Sequence, residues 1–374
     1  MKRKINKKNY KLILITTIFI IFIGMGLGFS YLNTSLSING VVTVNRPKEL
    51  LMTKIAEQAV LDNIASKYVT SETGIDFGQI SSDTNGKGVY LLSSTKGEEN
   101  PIYYYRGEVD NNNVKFANFC WKIVRTTDTG GIKLIYNGLP DSNGYCTNTI
   151  GEETQIGRSV FNTSEDDNTY VGYMYGTAGS TSYEETHKND HDSKIKEVID
   201  EWYKDNIISY TEKLEDTVWC NDRSVVTNSD YTGDGTGTTK TMYGAGGRLD
   251  LNKTPSLECK NINDRFTVDS ANGNGKLTYP VALLTVDEVA YAGGMYYGMN
   301  NSKYYLHTGR YYWLLSPHYF QISALESVVI SYGNIVHYNN NEDTIGVRPS
   351  ISLKSGTTIS DGDGTSTSPY IISN

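Results

Sequence analysis

YYWLLSPHYFQISALESVVISYGNIVHYNNNEDTIGVRPSISL, residues 311–353, alternates runs of aromatic and β-branched residues with turn formers. Ser-Pro, Tyr-Gly-Asn and Asn-Asn-Asn-Glu-Asp punctuate the runs, so the stretch reads as three strands joined by turns. Trp313, Leu315, Val329, Ile335, Val347 and Ile351 suit an interior. His318, Tyr319, Phe320, Gln321, Tyr332, Asn334, His337, Tyr338, Asn339 and Asn340 are the candidates for a displayed, ligand-binding surface. The strand Glu326 to Ser331 between them is expected to be framework.

At the other end of the chain, charge is sharply divided. Of 34 basic residues, six (Lys2, Arg3, Lys4, Lys7, Lys8, Lys11) precede residue 12, and the first acidic residue is Glu49. The remainder carries 28 basic against 42 acidic residues, a net of −14. So acidic a body lacks the cationic footprint for a phosphate backbone, and no nucleic-acid partner is expected. Leu12 to Phe29 is a run of 18 uncharged residues, nearly enough at ~1.5 Å each to cross a ~30 Å hydrocarbon core. With the basic cluster on its cytoplasmic side and Tyr31 beyond it, this reads as a single-pass signal anchor in the cell membrane, the rest of the chain lying outside the cell. A cleaved signal peptide is the alternative and would make the protein secreted, but Gly24 to Ser30 is a poor A-x-A site.

Three regions follow: a basic segment and anchor over 1–31, a short strand, helix and linker over 32–98, and a domain over 99–374. Leu36 to Val44 alternates as a strand, and Pro47 opens a helical pattern carrying Leu51, Ile55, Ala59 and Ile64. Residues 66–100 are polar, with one short strand at Val89 to Leu92. In the domain, Ile102–Arg106, Val114–Phe116, Phe119–Arg125 and Ile132–Tyr136 read as a meander of strands. A helix from Ser193 puts Ile195, Val198, Ile199, Trp202 and Ile207 on one stripe, and Thr285 with Glu288 forms the capping box of another.

Four cysteines, Cys120, Cys146, Cys220 and Cys259, include no C-x-x-C pair, which weakens zinc and thioredoxin-type readings and fits an oxidising location. Three pairings are open, with reduced buried thiols as the alternative. Cys120 with Cys146 and Cys220 with Cys259 is favoured, because each pair spans one loop-rich stretch.

Together, TYPVALLTVDEVAYAGG (278–294), YYWLLSP (311–317) and GVRPSISLKSGTTISDGDGTSTSPYII (346–372), with YYYRGEVDNNNVKFANFCWKIVR (103–125), CNDRS (220–224) and NDRFTV (263–268), resemble a family of uncharacterised bacterial exported proteins. That family is related to the C-type-lectin-like and sulfatase-modifying-factor fold. The resemblance covers Ile102 to the end. It implies an α+β, C-type-lectin-like domain: small twisted antiparallel sheets, about two helices and long loops, here behind an N-terminal transmembrane helix.

The enzyme of that superfamily, which generates formylglycine, holds copper on two cysteines near its C-terminal end. No cysteine follows Cys259 here, so that activity is not expected. Ser316 lies in Leu-Leu-Ser-Pro without a G-x-S-x-G elbow. His187 and His191 stand four apart in a polar stretch and read as a solvated pair. Asp230–Gly235 and Asp361–Gly364 read as turns, because neither has a calcium loop ending in a bidentate Glu. No enzyme activity, metal or cofactor is therefore expected.

Trp313, Gly346 and Arg348 read as scaffold: Arg348 to satisfy several carbonyls or a carboxylate from a central last strand, Gly346 to allow close backbone approach. Twenty-nine tyrosines against nine phenylalanines, several in doublets, suit either adaptable binding surfaces or a wet exterior. The expected function is recognition or adhesion at the cell surface, with a glycan or a surface protein as the ligand. A structural envelope or matrix component acting by self-association is the alternative.

Overall fold

The 311–353 stretch forms five strands, not three, and feeds two different sheets. The computed structural model describes residues 49–61, 75–82, 84–92, 100–298, 300–341 and 345–372. The expected anchor at Leu12 to Phe29, the strand at Leu36 to Val44 and Pro47 lie outside the described residues. Among those described, no helix is long and apolar enough to cross a membrane.

In chain order the principal elements begin with helix α1 (Leu51–Leu61) and strands β1 (Gly88–Leu91), β2 (Tyr103–Arg106), β3 (Asn113–Phe116), β4 (Phe119–Thr126) and β5 (Ile132–Tyr136). There follow β6 (Gly157–Ser159), α2 (Lys194–Asn206), β7 (Thr241–Tyr243) and α3 (Val286–Ala292). The chain closes with β8 (Tyr312–Phe320), β9 (Ala324–Val329), β10 (Ile335–Asn339), β11 (Ile345–Val347), β12 (Ser350–Leu353), β13 (Thr358–Asp361) and β14 (Tyr370–Ile372). The class is α+β, with strands dominating.

A nine-stranded sheet runs β13-β14-β3-β4-β2-β1 beyond a two-residue strand at Glu49–Leu50, with β5 on β4 and β12 on β5. A seven-stranded sheet runs β7-β8-β9-β10 beyond a two-residue strand at Val225–Val226, with β11 on β8 and β6 on β11. These sheets are larger than expected. Both are mixed, since β14 pairs with β3 and β11 with β8 in parallel. The expected meander holds for β3-β4-β5 but not for β2, which pairs with the far half of β4 at Tyr104 and Arg125.

The stretch before residue 99 is no detached linker where it is described. Leu51 and Ile55 are buried in the main core, and β1 pairs with β2 over its whole length. All described residues belong to one compact unit, Lys48–Asn374.

Local signals explain the helices. Ser193 caps α2, accepting from the Lys196 amide, and Ile195, Ile199 and Ile207 pack inward. At α3 the reciprocal capping box forms: Thr285 accepts from the Glu288 amide while the Glu288 carboxylate accepts from the Thr285 amide. The cysteines pair as favoured, Cys120 with Cys146 and Cys220 with Cys259.

Proline and arginine together divide the last segment. Pro349 has no amide to donate and falls between β11 and β12, where the chain leaves one sheet for the other. Arg348 thus stands at a crossover, not in a central strand. It is buried, and its guanidinium donates to Tyr136 O at 3.1 and 3.3 Å, Leu306 O at 3.2 Å and Asn137 Oδ1 at 3.1 Å, with the Tyr312 ring 4.8 Å away. One side chain so ties β5, the 301–311 segment and the crossover together. Trp313 donates its indole N–H to Ser159 O at 2.8 Å and packs edge-on to Phe161.

Candidate functional site

Strand β10 pairs with β9 along its length, and Tyr296 bridges to Ile335 on its far side. Successive side chains of a strand point to opposite faces, so His337 and Tyr338 part company. Each enters a different environment.

On the His337 side the rings close on one another. The Tyr296 hydroxyl lies 3.0 Å from His337 Nδ1, and His318 stacks on Tyr296 with centroids 4.8 Å apart. His318 Nδ1 is 3.0 Å from the Ser327 hydroxyl. Tyr319 stacks on Tyr231 at 4.7 Å and donates its hydroxyl to the Asp250 carboxylate, while the Gln321 amide donates to the Tyr231 hydroxyl. The Lys253 ammonium is 5.4 Å from the Tyr296 ring and donates to Asp250 O at 3.0 Å. Burial holds both imidazoles below the usual histidine range, His318 far below it, with His337 adding repulsion there and Asp250 partly offsetting the effect at His337. These histidines are neutral packing elements at physiological pH.

Tyr297 edges this cluster with φ 53°, a left-handed conformation uncommon outside glycine. Its amide donates to Ile335 O at 3.0 Å, and the Asn334 side chain donates to its carbonyl at 3.0 Å.

The expected displayed surface is therefore smaller than the sequence suggests. All nine residues of β8 are buried, including His318, Tyr319 and Phe320, and Asn334 and Asn340 are buried as well. The cause lies upstream: a helical segment at 244–252 begins Gly-Ala-Gly-Gly and lies against β8, where a Cβ on Gly246 would approach His318 O to 3.0 Å. Phe320 packs with Val171 and Tyr243, and the Asn340 amide donates to Tyr170 O at 2.8 Å. Asn339 accepts from the Ser323 hydroxyl at 3.0 Å. Gln321 and Tyr332, the latter 60% accessible, are displayed at the two hairpin turns. Ser316-Pro317, read as a turn, lies inside β8, which tolerates Pro317 through register shifts on either side.

On the Tyr338 side the described residues leave a cleft. The rings of Tyr338 and Tyr311, 6.0 Å apart and inclined at 62°, stand in a cleft of about 400 Å³. Arg158, Arg310, Ser331 and Ile345 also line it. Arg158 Nη2 donates to Glu152 Oε1 at 2.5 Å, and Arg310 Nη1 approaches the same oxygen at 3.9 Å. Register fixes Arg158, which lies opposite Gly346 where β6 pairs with β11. Gly346 meets the expectation of close approach: a Cβ there would fall 2.1 Å from the Gln155 amide, which donates to Tyr311 O at 2.9 Å. The clamp so formed sets the backbone beneath the Tyr311 ring.

Of the candidates for ligand binding, Tyr338 alone lines this cleft; His318, Tyr319 and His337 meet in the ring cluster, and Gln321 reaches its Tyr231 from the surface. Arg158, Arg310 and Tyr311 were missed. Tyr311 belongs to a tyrosine doublet that marked a possible surface ring, whereas Arg158 sits in a polar, glycine-rich stretch that gives no signal.

A second concavity, about 270 Å³, holds two groups of paired charges. Glu288 accepts from Arg125 at 2.8 Å and lies 3.0 Å from Lys133 Nζ; Arg248 pairs with Asp287 at 2.7 Å and Asp222 at 2.5 Å. Burial alone would raise Glu288, but Lys133 and Arg125 draw it down to about 2, while burial brings Lys133 to about 8. This network braces α3 against the nine-stranded sheet.

His187 and His191 do not form a solvated pair. His187 is buried with Nε2 2.9 Å from Gly235 O, and burial, reinforced by Arg223, pushes it down to about 3; His191 is exposed against Tyr175. Asp234 and Asp363 accept from neighbouring threonines within turns. Among the described residues no three His, Cys, Asp or Glu side chains are grouped to hold a metal ion. No family model, curated protein or solved structure matches the chain.

Proposed function

We propose that this chain is a recognition protein held outside the cell behind its N-terminal anchor, and that it binds a glycan in the cleft between Tyr311 and Tyr338. The open cleft with two tyrosine rings is the observation that carries the reading. Sugar rings present C–H faces that pack on aromatic rings, and hydroxyls that meet guanidinium donors and a serine. Two disulfides and the uncharged run after a basic cluster support export, and the sequence resemblance supports a C-type-lectin-like relationship for the domain.

The test uses the full chain purified in detergent on a glycan array, followed by calorimetry on the hits. Glycan binding that falls at least about tenfold in Tyr338→Ala, with folding retained, supports the proposal. An array without hits, together with concentration-dependent oligomers in sedimentation, would instead favour the self-associating envelope component.

A further inference from the structure

We propose that the glycan carries an acidic group, a carboxylate or a sulfate, seated between Arg158 and Arg310. This rests on the cleft being the binding site and adds the class of ligand it takes.

Charge distribution comes first. After residue 11 the chain has 14 more acidic than basic residues, yet among the described residues the charged side chains lining this cleft are both arginines. Among the described residues, both lie near one carboxylate, Glu152.

Donor geometry points the same way. A guanidinium carries five N–H donors in a planar fork matched to two oxygens of a carboxylate, phosphate or sulfate. Arg158 uses one donor on Glu152, and Arg310 approaches that oxygen only at 3.9 Å, beyond hydrogen-bond range. Most donors of both groups thus remain for a ligand. Arg158 is held in strand register opposite Gly346, and Arg310 directly precedes Tyr311, so cations and rings face one space. The acidic group would seat at the arginines while the sugar ring packs on the tyrosines.

Three hexasaccharides separate the sources of charge: chitohexaose (neutral), hyaluronan hexasaccharide (carboxylates) and sulfated chitohexaose (sulfates). Full chain, Arg158→Gln and Arg310→Gln are titrated with each at low and at physiological salt. Both arginines are exposed, so both variants are expected to fold, and circular dichroism checks this. The expected result is binding of at least one acidic probe, weakened about tenfold or more by either substitution and by added salt. A carboxylate requirement shows as hyaluronan binding alone, a sulfate requirement as sulfated chitohexaose alone. Binding of chitohexaose equal to the acidic probes, unchanged in Arg158→Gln, overturns the acidic group while leaving glycan recognition standing. Equal capture of polyglutamate, or acidic-probe binding unaffected by both substitutions, overturns it too. Failure of every glycan, on the array as well as here, removes the recognition reading itself.

Discussion

His337 and Tyr338 are neighbours in one strand, similar in character, and meet opposite fates. His337, half-buried, packs among Tyr296, His318 and Tyr319, whereas Tyr338, equally half-buried, stands beside Tyr311 at the cleft. On the first side, rings and amides are used to fix the strands. On the second, rings and cations line a cleft among the described residues. A surface rich in tyrosine is thus two things at once, and only what covers each face tells them apart.

The largest effect expected lies beneath the open side. Arg348→Met should cost about 3 kcal/mol or more, because it deprives Tyr136 O, Leu306 O and Asn137 Oδ1 of buried donors at about 1–3 kcal/mol each. Denaturant unfolding followed by tryptophan fluorescence would measure it. A loss under about 1 kcal/mol would show that the cleft's floor does not depend on this crossover.

Next comes the direct contrast between the two neighbours. Tyr338→Ala should reduce glycan binding about tenfold or more while changing stability by less than about 1 kcal/mol. His337→Ala should do the reverse, costing about 1–2 kcal/mol and leaving affinity unchanged. Equal effects of both on affinity would dissolve the distinction between the faces.

A pH series probes the closed side further. His318 is held far below the ordinary histidine value in the folded chain, so near pH 6.5 and below the unfolded state binds the extra proton. Stability attributable to it is therefore present above about pH 6.5 and falls as pH drops, by up to about 1.4 kcal/mol per pH unit. Buried Glu326 is raised and acts with the opposite sign, but it is common to both proteins when wild type is compared with His318→Gln. The variant should show the shallower loss between pH 6 and 5. Parallel curves would mean that this imidazole is hydrated in the folded chain.

Much of the framework was legible. Strand runs, the α2 stripe, the α3 capping box, both disulfides and the structural role of Arg348 all follow from local chemistry or from spacing. Burial of His318 and Tyr319 did not, since alternation says which residues share a face and not whether the face is covered. Their cover is Gly244 to Asn252, some 70 residues upstream, whose glycines allow close packing on β8. Arg158 was invisible for a related reason: its position comes from pairing with Gly346, a contact across nearly 190 residues. Pro349 marks the step between two sheets, a position where no ladder donor is needed.

The smallest predicted effect is the most informative about the closed face. Tyr319→Phe keeps the ring stacked on Tyr231 and removes only the hydroxyl given to Asp250. Asp250 is half-buried, so water can replace the lost donor, and the net cost should be about 1 kcal/mol or less. A double-mutant cycle with Asp250→Asn isolates the pair, with an expected coupling of about 0.5–1 kcal/mol. Affinity for the glycan should not move in either single variant. If instead Tyr319→Phe weakened binding tenfold with stability intact, the hydroxyl would have to reach a ligand. The site would then belong on the His337 side of the strand.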